Sequence, residues 1–144
     1  MDEKTTNELT QILKNTSNTT QLETYLDQLE EQRFPEAFRA YFFSLEAVKK
    51  MQPSELIGKS GIERTYFYQL QRGERKPGRD KVLALCIAAR LTLKETQRAL
   101  EVAGINPLYS KNRRDAIIIF CIERRLTMTD TNELLEQFGE ALIQ

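Results

Sequence analysis

The sequence predicts an all-α protein. Three observations point there: apolar residues recur at three- and four-residue spacing along most of the chain, a glycine turn joins two short helical patterns near residue 61, and a segment that reads as two helices occurs twice.

The elements follow in order. Leu9, Ile12 and Leu13 mark a short first helix, and the polar tract Asn15 to Thr20 separates it from a second, marked by Leu22, Tyr25, Leu26 and Leu29. From Phe34 the set Phe34, Phe38, Tyr41, Phe42, Leu45 and Val48 traces one face of a long helix, with Pro35 tolerable in its first turn. Pro53 starts the next helix in the same way. Gly61 sits where the chain must bend sharply between two helices, a place that usually demands positive φ. Ile62 can drop into the core as soon as the bend is complete. Phe67 and Leu70, three apart, give the following helix its buried stripe; Thr65, Tyr68, Gln69 and Arg72 lie opposite, with Arg64 on the flank.

The run Leu56 to Pro77 is thus helix, glycine turn, helix and basic loop, the order a DNA-reading helix-turn-helix needs. It resembles the phage-repressor-like (Xre-type) helix-turn-helix family, with Leu56, Gly61, Ile62, Arg64, Leu70, Arg72, Gly73, Arg75, Lys76 and Pro77 falling on the family's pattern. Departures are Ile57, where alanine is usual at the crossing of the two helices, Tyr66 and Tyr68, where small hydroxyl residues are usual, and Glu74 within the basic loop. The resemblance implies a lambda-repressor-like helix-turn-helix domain over residues 34–104, with additional helices at both ends: an N-terminal extension, 1–33, and a C-terminal hairpin, 105–144.

That hairpin is a repeat. Arg79–Gly104 and Arg114–Gly139 align without a gap, and 11 of 26 positions are identical, among them Arg79/Arg114, Asp80/Asp115, Cys86/Cys121, Arg90/Arg125 and Gly104/Gly139. Thr92 with Glu95, and Thr127 with Asp130, have capping-box spacing. Repeated hairpins bury their apolar faces by stacking on neighbours, as solenoids do. The second copy must bury Ile117, Ile118, Ile119, Phe120 and Ile122, which calls for enclosure by its own chain or by a second subunit. Arg113 and Arg114 at a helix start oppose its dipole and therefore call for an acidic or phosphate partner, acidic side chains of the same chain being the simpler one.

Composition bounds the function. The net charge is zero, yet residues 59–90 carry 8 basic and 3 acidic groups, concentrating positive charge on the helix-turn-helix and the loop after it. Histidine is absent, and Cys86 and Cys121 lie in apolar helical runs. They read as buried thiols in a reducing compartment, the alternative being a redox pair, and no metal site or cofactor is expected. No nucleophile–base pair or glycine-rich phosphate loop is visible, so the chain does not read as an enzyme. Residues 1–20 are polar and charged and carry no signal-peptide pattern, and the longest apolar run falls far short of the about 20 residues that span a bilayer. A cytoplasmic protein is expected.

The functional expectation is a sequence-specific transcriptional regulator that reads double-stranded DNA with the 63–71 helix. Arg64, Thr65, Tyr68 and Gln69 would face base edges. Lys59, Arg72, Arg75 and Lys76 would contact phosphates. A homodimer is expected, with the Ile117–Ile122 helix or the one after it at the interface. The alternative is a protein-interaction adaptor or antitoxin, with partners met through the Tyr66–Phe67–Tyr68 run or through the N- or C-terminal helices.

Overall fold

The structure, a computed structural model, describes residues 6–15 and 18–144. Among these the chain forms nine helices and no strand, and it divides into two units, one ending at Arg33 and one spanning Phe34–Gln144. No helix among the described residues is long and apolar enough to cross a membrane.

The first unit holds α1 (Thr6–Asn15) and the start of α2 (Thr19–Phe42). The Asn18 side chain caps α2, its Oδ1 accepting from the Gln21 N–H at 2.8 Å. Residues 1–5, and 16–17 of the polar tract, lie outside the described residues. Leu9 and Ile12 are half-buried, whereas Leu13, Leu22, Leu26 and Leu29 are exposed.

Two boundaries differ from the sequence reading. The second and third helices expected there are one continuous α2, and Pro35 lies inside it rather than in its first turn. A proline within a helix leaves the carbonyl four residues earlier without its usual donor, and this one lies beside the division between the two units. Leu45 and Val48 do not continue that helix either; α2 stops at Phe42, and Val48 is buried from the one-turn helix α3 (Glu46–Lys49).

The second unit continues through α4 (Pro53–Ser60), α5 (Arg64–Gln71), α6 (Arg79–Ala88), α7 (Leu93–Val102), α8 (Arg113–Glu123) and α9 (Met128–Gln137). Its core has α6 at the centre, buried from Val82 to Ala88 and packed on by α4, α7 and α9. Beside it the rings of Phe38 and Phe42 stack at 5.3 Å, and Phe43 stands edge-on to Phe42 and Phe67 at 5.0 and 5.7 Å.

The repeat folds as two helical hairpins, α6–α7 and α8–α9. Thr92 and Glu95 close a complete capping box on α7; on α9 the Thr127 hydroxyl accepts from the Asp130 N–H at 3.1 Å, and the shorter aspartate leaves the return bond unmade. Each first helix ends in a residue at positive φ that is not glycine, Arg90 (55°) and Arg125 (57°), and each second helix ends in Gly104 (74°) or Gly139 (73°).

The hairpins do not stack by translation; they face each other reciprocally. Arg79 forks onto Asp115 with bonds of 3.0 and 2.9 Å, and the equivalent Arg114 returns to Asp80 with bonds of 3.2 and 3.1 Å. The Tyr109 N–H donates to Asp115 at 3.0 Å, and the Gln144 N–H to Asp80 at 3.2 Å. Arg90 donates to the Arg125 carbonyl and Arg125 to the Arg90 carbonyl. Gln97 holds the Leu108 backbone through both amide groups, and Asn132 holds that of Ile143. In a translational stack Arg114 would point onward to a third unit. Its return to the first requires an internal two-fold axis, which relates Arg79–Tyr109 to Arg114–Gln144.

The symmetry stops where the rest of the unit begins. Val82 and Leu85 of α6 and Ala89 at its end are buried, but their counterparts are the half-buried Ile117 and the 44% exposed Phe120 of α8 and the exposed Arg124 at its end. Its own chain therefore does not enclose α8 at Phe120, which the Arg124 guanidinium covers at 3.5 Å from the ring centroid. Ile118 and Ile122 are buried in the core of the same chain. Arg113 and Arg114 find same-chain acids: Arg113 meets Glu140 at 2.9 Å, and Arg114 meets Asp80.

Candidate functional site

The α4–α5 pair is set by its turn. Gly61 takes φ 73° and its N–H caps α4 on the Ile57 carbonyl at 3.0 Å. The Ser60 hydroxyl, buried beneath the turn, donates to the same carbonyl at 3.2 Å and accepts from the Ile62 N–H at 3.3 Å. Ile62 is thereby delivered to the core, and Phe67 and Leu70 fix the inner face of α5.

The outer face is narrower than the sequence reading drew it. Arg64 and Thr65 are exposed, but Tyr68 and Gln69 are half-buried. Tyr68 packs against the core with its ring edge-on to Phe67 at 5.3 Å. The Gln69 carbonyl oxygen accepts from Arg75 at 3.1 Å. Nor are Tyr66 and Tyr68 the exposed aromatic patch that a protein interface would want; Tyr66 is half-buried too. The physical reason is size. A tyrosine on the flank of an eight-residue helix reaches over the core edge, where a small hydroxyl residue would stand clear.

The loop after α5 is closed by Gly73 at φ 72°, with the Glu74 N–H reaching back to the Gln69 carbonyl at 2.9 Å. The four cations expected to contact phosphates are held differently. Arg72 forks onto Glu74 at 2.8 and 3.2 Å at the surface, and that hydrogen bond holds the Glu74 carboxyl below its usual range. Arg75 lies over the Tyr66 ring at 4.5 Å, and Lys76 over Phe34 at 4.8 Å. Lys59, on α4, has a loose partner in Glu55 at 3.9 Å. Among the described residues Arg64, Arg75 and Lys76 have no acidic partner.

The sequence reading missed Lys81. Its Nζ lies 5.9 Å from the centroid of the Tyr66 ring. Together with Lys59, Gly61, Thr129, Asn132 and Gln144 it lines an open cleft of ≈ 280 Å³ beside the α4–α5 turn. Its only sequence signal is its place in the basic segment.

Cys86 and Cys121 are free and buried, each beside the buried threonine of its own hairpin, Thr96 or Thr131. Burial pushes the Cys86 thiol up to about 12 and raises that of Cys121, so both are protonated at neutral pH. Among the described residues no three Asp, Glu or Cys side chains gather as a metal ion would require. Comparison with family models, with curated proteins and with solved structures finds no match to this chain.

Proposed function

We propose that the chain is a sequence-specific DNA-binding regulator of the phage-repressor-like helix-turn-helix kind, with α5 as the helix that enters the major groove. The observation that carries this reading is the pairing of an exposed Arg64–Thr65 edge with a glycine-closed loop whose Arg75 and Lys76 have no acid to neutralise them. A helix N-terminus that presents Arg and Thr can bond guanine and contact a thymine methyl. Tyr68 and Gln69 take a lesser part: Gln69 orients Arg75, and Tyr68 is half-buried against the core. Lys59, Arg72, Arg75 and Lys76, joined by Lys81, would neutralise phosphates on either side of the groove. One α5 reads few base pairs, so a homodimer formed on the DNA itself, across half-sites about 34 Å apart, is the expected assembly.

The test is binding to random duplex DNA as salt is raised, followed by selection of bound sequences. Log affinity should fall linearly with log salt, with a slope of about −0.9 per phosphate contacted. Absence of any salt-dependent binding would remove the DNA reading and leave a protein-interaction role. The exposed leucines of α1 and α2, not the tyrosines of α5, would then be the surface to examine.

A further inference from the structure

The reciprocal contacts between the two hairpins define a surface with a second possible occupant. In a two-fold pair, residue i of one unit meets j of the other while j meets i, so the surface is complementary to itself. Here the side chains that carry the bonds are the same residues in both units, Arg79/Arg114, Asp80/Asp115 and Arg90/Arg125, and both units present them in the same backbone setting. Nothing in this surface distinguishes the chain's own second hairpin from that of another molecule.

We propose that the face of the α6–α7 hairpin centred on Arg79, Asp80 and Arg90, covered here by the chain's own α8–α9 hairpin, is a self-association surface whose partner is the α8–α9 hairpin of a second copy of this chain, reached by exchange of hairpins. The connection Ser110–Asn112 is the hinge. All three of its residues are exposed, and Ser110 and Lys111 make none of the reciprocal bonds. Exchange forms no new contact and loses none outside the hinge. What holds the hairpin at home is proximity, because a short connection gives an effective concentration in the millimolar range. At micromolar concentration the closed monomer prevails, and any change that disfavours internal closure releases the hairpin to a neighbour. This inference stands apart from the DNA reading and holds or fails without it.

The experiment uses the full chain with charges reversed at one pair. In Asp80→Arg the new arginine faces the chain's own Arg114; in Arg114→Asp the new aspartate faces its own Asp80. Mixed in equal amounts and warmed to permit opening, the two variants can exchange hairpins so that both pairs have opposite charges. The expected result is a species of twice the monomer mass in the mixture and in neither variant alone, with a melting midpoint above both. If a variant alone fails to fold, the mixture still restores it. Deletion of Ser110 and Lys111, which shortens the hinge, should separately convert the chain to a dimer whose midpoint rises with concentration. A mixture that stays monomeric and melts as the sum of its parts overturns the proposal, as does a shortened chain that remains a folded monomer.

Discussion

Gly104 and Gly139 occupy equivalent places in the repeat, at φ 74° and 73°, and alanine at each tests how far the two-fold extends. The shared cost is that of a left-handed residue with a Cβ, about 1–2 kcal/mol. At Gly139 nothing lies within 4 Å of an added Cβ, so Gly139→Ala should cost that much and no more. At Gly104 the added carbon would stand 2.7 Å from two ring atoms of Phe34 and 2.8 Å from a third. That ring also lies under Lys76. Moving it adds an overpacking cost of about 1–3 kcal/mol, so Gly104→Ala should lose about 2–5 kcal/mol in all. For a unit of this size each kcal/mol lowers the melting midpoint by about 4 °C, and the gap between the two variants should be several degrees. Chemical denaturation of both, beside the Phe34→Ala/Gly104→Ala double variant, supplies the assay. With the ring gone, the Gly104 cost should fall to the Gly139 value, a coupling that only direct contact produces. Equal losses at the two glycines, or a Gly104 cost that ignores Phe34, would refute the reasoning.

Other outcomes follow from the same geometry. Asp115→Asn should cost about 1.5–3 kcal/mol, because the charge that accepts from Arg79 and from the Tyr109 N–H is removed at a site only 6% exposed. Burial pushes that carboxyl up, but the bonds from Arg79 and Tyr109 outweigh it and hold it below its ordinary value. The stabilisation is therefore complete above the ordinary carboxylate range and lost as pH falls through the depressed value. Acid unfolding of the native chain should show this step, and Asp115→Asn should lack it. Arg64→Ala should cost about 1–3 kcal/mol in binding to a selected DNA site while random DNA binds as before, whereas Arg75→Ala and Lys76→Ala should weaken all sequences and reduce the salt slope by about one each. Thiol labelling at mild alkaline pH should leave Cys86 and Cys121 unreacted in the folded chain and modify both in denaturant; rapid native labelling would contradict their burial.

Much of the helical plan is legible in the residues. Gly61, Ile62, Phe67 and Leu70 behave as their spacing and chemistry dictate, because a turn glycine and an i, i+3 stripe are local signals. The repeat is legible too, through 11 identities, but only as far as Gly104 and Gly139. It continues structurally to Tyr109 and Gln144, where no residue is identical and the likeness lies in backbone groups, the Leu108 and Ile143 amides clasped by Gln97 and Asn132. Main-chain contacts leave no trace in side-chain identity. The sense of the repeat was equally hidden: conserved-looking Arg–Asp pairs fit a translational stack as well as a two-fold, and only the destination of Arg114 decides. At the candidate site the exposure of Arg64 was readable and the half-burial of Tyr68 and Gln69 was not. Helical spacing assigns a residue to a flank, but the reach of a large side chain settles which way that flank faces.

The mutual grip of the hairpins also bears on how the molecule opens. Asp80, in the first turn of α6, receives both Arg114 and the Gln144 N–H, so two points far apart along the chain converge on one carboxylate. Neither hairpin can fray from its outer end without surrendering a bond that also fastens the other. Amide protons in α6 and α8 should therefore exchange with solvent at one common rate set by a single opening event, where an open-ended row of hairpins would shed protection progressively from its last unit. A closed pair has no last unit.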